Sequence, residues 1–472
     1  MRSSATIVIA SVWLGVSAFA ATASDTLTTD TLIQSIKQFH PKLQEVAAKR
    51  SQAELEEMRA LGAFDPVVYQ STALRPSGYY DGQFLEQKVE KRLTDMNARI
   101  FGGYRISDGE FPEYEGEMRT LSGGEANIGV AFSLLQNRET DKYRTALQNA
   151  LAARENWLAR ESAQINSTLY KGLSALLDWY QADLQYQVIM DLVTTTEDRL
   201  EGIKTRVENG DLAAISLTEF NATLLSRRLA LQRAERELAV TKQALVFYWR
   251  DNNGQMRPVS DVPKHSEKLV WPFAIHSQNE AELKRMVYQH PAVQALQAER
   301  VKARNDERLK ANQLLPQLDL ELKVARDVGA GSETLVGTES KVGLNFSLPL
   351  GQRTAKAEQR RAQEKIRELD FALTNLMNEL ERDMAMALEQ VNYGKQMLDL
   401  NQQQAEIADK LLEQEFVRFR AGASDLFLLN NREALAIQAK LTSVQAQVQL
   451  FKQELSVWAA AGALVDFQTT NS

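Results

Sequence analysis

The chain has 472 residues, a net charge of −7 and no cysteine. This charge gives no electrostatic footprint for nucleic acid, and the missing cysteine excludes disulfides, thiolate metal sites and an acylated N-terminal cysteine. Only ten prolines occur, and 145 residues separate Pro112 from Pro258. Because proline interrupts helices, this spacing permits very long helices.

Residues 1–23 have the pattern of a secretory signal peptide. Arg2 precedes an apolar run over residues 7–20, and the small residues Ala21 and Ala23 mark a cleavage site. The run is shorter than the ~20 apolar residues that a transmembrane helix needs. We therefore expect export from the cytoplasm, with cleavage after Ala23 or, as the alternative, after Ala20.

The remaining sequence contains one pattern twice. The paired landmarks are His40-Pro41 with His290-Pro291, Pro66 with Pro316, 129–134 with 343–348, and Arg206 with Arg418. Four landmarks in the same order indicate an internal duplication. The number of residues between paired landmarks falls from 250 to 214 after Pro66, which indicates a 36-residue insertion in the first copy. We predict repeats over 24–250 and 281–460, an equatorial linker over 251–280 and a tail over 461–472.

Most of each repeat is predicted to be helical. Within 138–208, apolar residues recur at steps of three, four and seven, which is typical of coiled coils. The first repeat has predicted helices over 28–62, 138–208 and 213–249. The second has predicted helices over 280–312, 353–420 and 424–460. Because the two shorter helices of each repeat together equal the long one in length, we expect them to stack end to end beside it.

Apolar and polar residues alternate in three other segments, which predicts strands with one apolar face. Strands are predicted over 317–325 and 341–349, and a strand and loop segment over 66–134, so we expect four strands per chain. The expected lipid-facing residues are Ile128, Val130, Phe132, Leu318, Leu320, Leu322, Val342, Leu344 and Phe346. Lipid excludes open sheet edges, and single-chain barrels begin at eight strands. Closure therefore requires a dimer or a trimer.

This order of features resembles the TolC-like outer membrane efflux proteins. The likeness rests on the duplicated His-Pro sites, the Phe-Ser-Leu strand ends before the long helices, and two Arg-x-x-x-Gly turns. Residues 103–125 also resemble a signature of one branch of that family. The resemblance implies a mainly α fold with membrane β structure. In that fold a homotrimer forms a twelve-stranded outer-membrane β-barrel, continued by a periplasmic α-barrel of long antiparallel coiled-coil helices.

The resemblance also implies a function. Such a protein is the exit duct of a tripartite efflux or type I secretion system in a Gram-negative bacterium. It passively conducts substrates received from an inner-membrane transporter and a periplasmic adaptor. The expected location is the outer membrane, where the strands contact lipid and the helices extend into the periplasm. No lipid anchor is expected. The sequence does not identify the exported substrate or the class of pump.

Two turns lie one long helix away from the strands and form the expected periplasmic tip. Their residues are Arg206, Gly210 and Leu212 in the first repeat, and Arg418, Gly422 and Ser424 in the second. Glycine suits a helix end that requires positive φ. The resemblance implies that an adaptor docks here. The two arginines fit equally well as cations that complement a helix C-terminus.

The tip also contains two aspartates, Asp211 and Asp425, that could form acidic rings at the tunnel entrance. The favoured alternative is that each complements the start of a helix. Members of the family often carry carboxylates about two turns after the second glycine, where this chain has Leu428, Asn430 and Asn431. We therefore expect a different closure chemistry here.

Motifs for catalysis are missing from the sequence. The four histidines lack the spacing of a zinc site, and neither HExxH, GxSxG nor a phosphate loop occurs. We predict no enzyme activity, cofactor or bound metal. The alternative function is a soluble periplasmic coiled-coil scaffold, which would explain the helices but not the signal peptide together with the alternating strands.

Overall fold

The computed structural model describes residues 27–467, so the predicted signal peptide lies outside the described residues. The helices are α1 (Thr29–Phe39), α2 (Pro41–Leu61), α3 (Lys142–Glu208), α4 (Ala214–Val246), α5 (Ser277–Met286), α6 (Pro291–Asn312), α7 (Arg353–Arg420) and α8 (Leu426–Ala460). Within the described range, every helix is too short or too polar to cross a membrane.

The long helices α3 and α7 contain 67 and 68 residues, or about 100 Å each at 1.5 Å per residue. They run through two tiers of helices. In the tier next to the strands, α2 packs on α3, and α6 packs between α3 and α7. In the distant tier, α4 packs on α3, and α8 packs between α3 and α7. Each tier is therefore four helices wide.

The His-Pro sites divide two helices that we expected to be continuous, 28–62 and 280–312. His40 has φ −71° and ψ 123°, an extended conformation that the following proline favours. Its Nδ1 accepts a hydrogen bond from the Lys42 amide at 3.2 Å, and His290 Nδ1 accepts one from the Ala292 amide at 3.1 Å. Each histidine thus caps the next helix, and Pro occupies the first turn, where its missing N–H is not needed.

The main hydrophobic core lies where the two tiers meet. Its fully buried members include Leu32 and Ile36 of α1, Leu173 and Leu177 of α3, and Phe273 of the linker. Glu454 of α8 accepts hydrogen bonds from the Trp271 indole at 2.9 Å and the Ile275 amide at 3.1 Å, which fixes the linker. Leu464 is also buried in this core. The described part of the expected tail is therefore packed against the helices.

The sheet contains six strands, so the prediction of four was wrong. They are β1 (Val67–Arg75), β2 (Gly82–Arg92), β3 (Ala98–Gly109), β4 (Glu125–Ser133), β5 (Gln317–Asp327) and β6 (Thr338–Ser347). All pair antiparallel in chain order. The insertion in the first repeat accounts for the additional hairpin. Gly102 and Gly103 interrupt the apolar alternation of β3 and concealed it.

The strand register separates an apolar face from a polar face. Val130 pairs with Leu322, and Leu322 pairs with Val342, so all three side chains share one face. The other six expected lipid-facing residues lie an even number of positions from one of these three in the same strand, so they have the same parity and lie on that face. The face continues through Ile100, which pairs with Val130, into β2 and β1. In the additional hairpin this face is mixed, because Leu85, Val89 and Ile106 share it with Gln83, Gln87 and Lys91.

Candidate functional site

The two long helices end in two turns of the same type, at the end of the molecule farthest from the sheet. Gly210 has φ +83° and Gly422 has φ +73°. The Asp211 amide donates to the Arg206 carbonyl at 2.8 Å, and the Ala423 amide donates to the Arg418 carbonyl at 2.9 Å. These bonds are typical of a helix end with a left-handed glycine. An added Cβ would meet no atom within 4 Å at either glycine, so glycine is required by conformation and not by space.

The two equivalent arginines have different partners. The Arg206 guanidinium lies 5.4 Å from the ring centroid of Phe419, so it joins the ends of α3 and α7. Arg418 lies 3.7 Å from Glu415 and donates to the Ala423 carbonyl at 3.3 Å. Arg418 therefore complements the end of its own helix, whereas Arg206 connects the two turns.

The two aspartates also differ. Asp425 is the N-cap of α8, and its Oδ1 accepts a hydrogen bond from the Leu428 amide at 2.7 Å. Asp211 is exposed and precedes Ala213, the N-cap of α4, which provides no side-chain cap. Only Asp425 thus has the geometry of a helix-start aspartate. Both carboxylates lie at the surface of the tip.

Exposed apolar side chains flank the turns, and the sequence analysis missed them. Ile215 is 65% exposed and Phe427 is 80% exposed. They are separated by 212 residues, as are Gly210 and Gly422, so they occupy equivalent positions in the two repeats. That shared offset was the signal that could have identified them. Leu212 and Ser424 lie half-buried between these residues and the glycines.

A buried ion cluster lies farther along the helices and was also missed. Glu433 of α8 is 4% exposed. Its carboxylate accepts hydrogen bonds from Arg199 of α3 at 2.7 and 3.1 Å, and it lies 2.7 Å from Arg227 of α4. The cluster joins three helices. The first carboxylate after Asp425 in α8 is therefore buried between helices of the chain.

The polar face of the sheet carries a charged network. Arg105 and Glu125 are both buried and 2.7 Å apart, and Lys323 contacts the same carboxylate at 3.0 Å. Nearer the helices, Arg99 pairs with Glu90 at 3.2 Å. Within residues 27–467, no cluster of three or more histidine or acidic side chains is arranged to hold a metal ion.

The chain has two open sides. Along α7, exposed apolar residues follow at steps of four, three, seven and four: Tyr393, Met397, Leu400, Ile407 and Leu411. The opposite side exposes a second set on α2 and α4: Leu55, Met58, Leu225, Leu229 and Val240. In the described sheet, β1 and β6 are the edge strands, each paired on one side.

No family model and no curated protein matches the chain, but solved structures do. The outer-membrane channel OprN is 14% identical with a TM-score of 0.67, over 92% of this chain and 90% of that one. The outer membrane protein VceC from Vibrio cholerae is 13% identical with a TM-score of 0.64, over 92% and 96%. The MtrE outer membrane channel from Neisseria gonorrhoeae is 15% identical with a TM-score of 0.62, over 92% and 89%.

These matches extend over nearly the whole of each chain and include both the sheet and the long helices. TM-scores above 0.6 over this length establish the fold, and at identities of 13–15% they establish the fold alone. The resemblance implied a mainly helical chain with an antiparallel sheet, and this fold is thereby confirmed, with six strands in place of four. The chain has the fold of the TolC-like outer membrane efflux channels.

Proposed function

We propose that this protein is the outer membrane channel of a tripartite efflux or type I secretion system. As a homotrimer without enzyme activity, it would conduct substrates passively from an inner-membrane transporter and a periplasmic adaptor. The observation that carries this proposal is the pair of open sides on the subunit. Both sides expose apolar helix residues, and the edge strands β1 and β6 each have one unpaired edge.

The two sides are suited to a closed ring. The chain passes from β6 directly into α7, so their free edges form one continuous side. The other side consists of α2, β1 and α4. A contact between unlike sides closes into a ring when the rotation fits. In a trimer, three subunits of four helices per tier give a twelve-helix tunnel.

The strand number of the proposed barrel differs from the sequence expectation. Six strands from each of three subunits give eighteen strands in place of twelve. The strands contain 9 to 12 residues, and a tilted membrane strand needs about 9–11. The apolar face, including Ile128 and Leu344, would contact outer-membrane lipid, and the charged face would line the pore. The helices would then extend into the periplasm.

The tip is the proposed adaptor-docking surface. Arg206 with its equivalent Arg418, and the exposed Ile215 and Phe427, present cationic and apolar groups at the end that would face the inner membrane. Exposed large apolar groups of this kind are typical of interaction sites. Glycine-dependent turns hold them in equivalent positions in both repeats.

Membrane fractionation and mass determination test the proposal. We expect the mature protein in the outer-membrane fraction, with the mass of three chains in detergent by light scattering. We also expect that deletion of the gene abolishes export of the system's substrate. A monomer in the soluble periplasmic fraction would contradict the channel and favour the coiled-coil scaffold.

A further inference from the structure

Residues 110–124, which connect β3 to β4, are here named the inner segment. The ends of β1, β4, β5 and β6 that join helices lie at one end of the sheet, so the inner segment lies at the opposite end. It contains a short 3₁₀ turn, Glu113–Met118. In the proposed channel this end of the sheet is the outer mouth.

The inner segment folds back over the polar face of the sheet as far as Leu121, and its last three residues then extend the pairing of β4 with β5 through backbone hydrogen bonds to Val328 and Ala330. Phe111 is buried, and its ring lies 3.0 Å from the position of a Cβ added to Gly82. The Thr120 hydroxyl lies 3.2 Å from the Ser107 hydroxyl, within hydrogen-bond distance. Ser107 and Gly82 both belong to the polar face, because they alternate with the apolar positions of β3 and β2.

Two further contacts lie on β5 and β6. The Leu121 amide donates to Asp327 Oδ1 at 3.0 Å, and Lys341 pairs with Glu117 at 2.7 Å. Asp327 and Lys341 also have the parity of the polar face. The contacts therefore extend from β2 to β6, and the inner segment crosses most of the width of the sheet.

We propose that the inner segment lies inside the pore and narrows its outer mouth, so that it limits the size of the molecules that pass. This inference rests on the proposed function, because the polar face is the pore wall only if the sheet closes into a barrel. Barrel diameter grows roughly in proportion to strand number, so eighteen strands enclose a pore about half as wide again as twelve. Three inner segments, one from each subunit, occupy part of this added width.

Thiol labelling of intact cells tests the proposal, because a chain without cysteine allows single cysteines to be placed at will. Asn345→Cys places a thiol on the polar face, closer to the helices than the inner segment. Ser77→Cys lies in the loop between β1 and β2 and reports access from outside. Leu344→Cys, on the apolar face, is the matched unreactive control.

Each variant is exposed to a small membrane-impermeant maleimide and to one carrying a bulky polyethylene glycol chain. We expect both reagents to label Ser77→Cys, but only the small one to label Asn345→Cys. When residues 111–122 are replaced by a short Gly-Ser linker, we expect the bulky reagent to label Asn345→Cys as well. Equal labelling of Asn345→Cys by the bulky reagent with and without the inner segment would overturn the proposal.

A second measurement covers the case in which the shortened chain fails to fold. Ser107 Oγ and Thr120 Oγ1 are 3.2 Å apart, close enough for two cysteines to form a disulfide. We expect the Ser107→Cys/Thr120→Cys protein to be disulfide-bonded in the outer membrane. If both thiols stay free and react with the bulky reagent, the inner segment does not lie on the wall.

Failure of the channel itself gives a different result. If the small reagent labels Ser77→Cys but never reaches Asn345→Cys, with or without the inner segment, the polar face does not line a pore open to the outside. That outcome rejects the proposed function and, with it, the inference.

Discussion

At Glu433, burial determines how much a single side chain contributes to the stability of the fold. Its carboxylate pairs with two arginines from different helices, Arg199 and Arg227, and is itself largely closed to water. A buried charge that loses its partner is destabilising by several kcal/mol. The cluster therefore holds α3, α4 and α8 together near the tip.

We predict that Glu433→Gln destabilises the protein by about 3 kcal/mol, because the buried Arg227 and the partly buried Arg199 lose their counter-charge. Glu197→Gln is the matched control, since Glu197 forms an exposed ion pair with Arg228 and exposed pairs contribute at most about 1 kcal/mol. Denaturant unfolding measures both. Equal losses in the two variants would contradict the role of burial.

His40 and His290 give the helix joints a pH dependence. Burial lowers the pKa of both from the usual 6.5, and the Arg250 charge lowers that of His40 further. The folded state thus favours neutral imidazole, whose Nδ1 accepts the capping hydrogen bond. Their stabilisation is complete above the unfolded pKa and is lost as the pH falls through the folded pKa.

We predict that the melting temperature of the wild-type protein decreases as the pH falls below about 6.5. The His40→Asn/His290→Asn variant should show a smaller decrease, because asparagine caps helices without titrating. Thermal unfolding between pH 8 and pH 5 compares the two, with other titrating groups common to both. Parallel curves would show that the histidines do not cause the dependence.

Some residues were predictable because local backbone rules determine them. Gly210 and Gly422 end helices at positive φ, and their spacing was visible in the sequence. The role of Glu433 was not predictable, because its partners, Arg199 and Arg227, each lie more than two hundred residues before it in the chain. The exposure of Phe427 likewise depends on which helix faces remain uncovered after packing.

At the scale of elements, the turns between α3 and α4 and between α7 and α8 present the tip surface. We predict that Ile215→Ser/Phe427→Ser abolishes adaptor binding and export, because both side chains are exposed and have no core to fill. Pull-down of the adaptor and an export assay measure the effect. The matched control Phe427→Leu retains an apolar side chain and should bind.

Melting temperature distinguishes docking from folding in that variant. We expect it to change little, because exposed substitutions rarely alter stability by more than about 0.5 kcal/mol. Normal export by the double variant would remove Ile215 and Phe427 from the docking surface.

The hairpin β2–β3 is the element that the sequence analysis did not anticipate. Val89 lies on its apolar face, paired with Gly102, and Glu86 lies on its polar face. We predict that Val89→Arg reduces the yield of assembled protein in the outer membrane, at a cost of roughly 2 kcal/mol for a lipid-facing arginine. Glu86→Arg should be tolerated. If both variants assemble equally well, this hairpin lies outside the membrane.

Element boundaries followed local signals where those were strong. The segment 353–420 was predicted as helix and is α7 throughout. The expected helices 28–62 and 280–312 are instead divided, because the residue before proline adopts an extended conformation. The prediction of the strand number was wrong for a different reason. Glycines and charges in β2 and β3 weaken the alternation, and pairing with neighbouring strands determines their structure.

At the scale of the whole molecule, the chain by itself leaves two sides of its fold open. Its sheet has two open edges, and the apolar seams on α7 and on α2 with α4 face solvent. Lipid does not tolerate open sheet edges. Each repeat contributes its long helix and one shorter helix to each tier, so the duplication accounts for the four-helix width of the tiers. In the proposed channel, the insertion in the first repeat would enlarge the part of the barrel wall that each chain contributes.

Electron cryomicroscopy of the mature protein in detergent tests the central claim most directly, because it counts subunits and strands in one measurement. The account predicts a closed ring of three subunits, with eighteen strands in the barrel and twelve helices in each cross-section of the tunnel. A monomer with an open sheet, or a barrel that excludes β2 and β3, would contradict it.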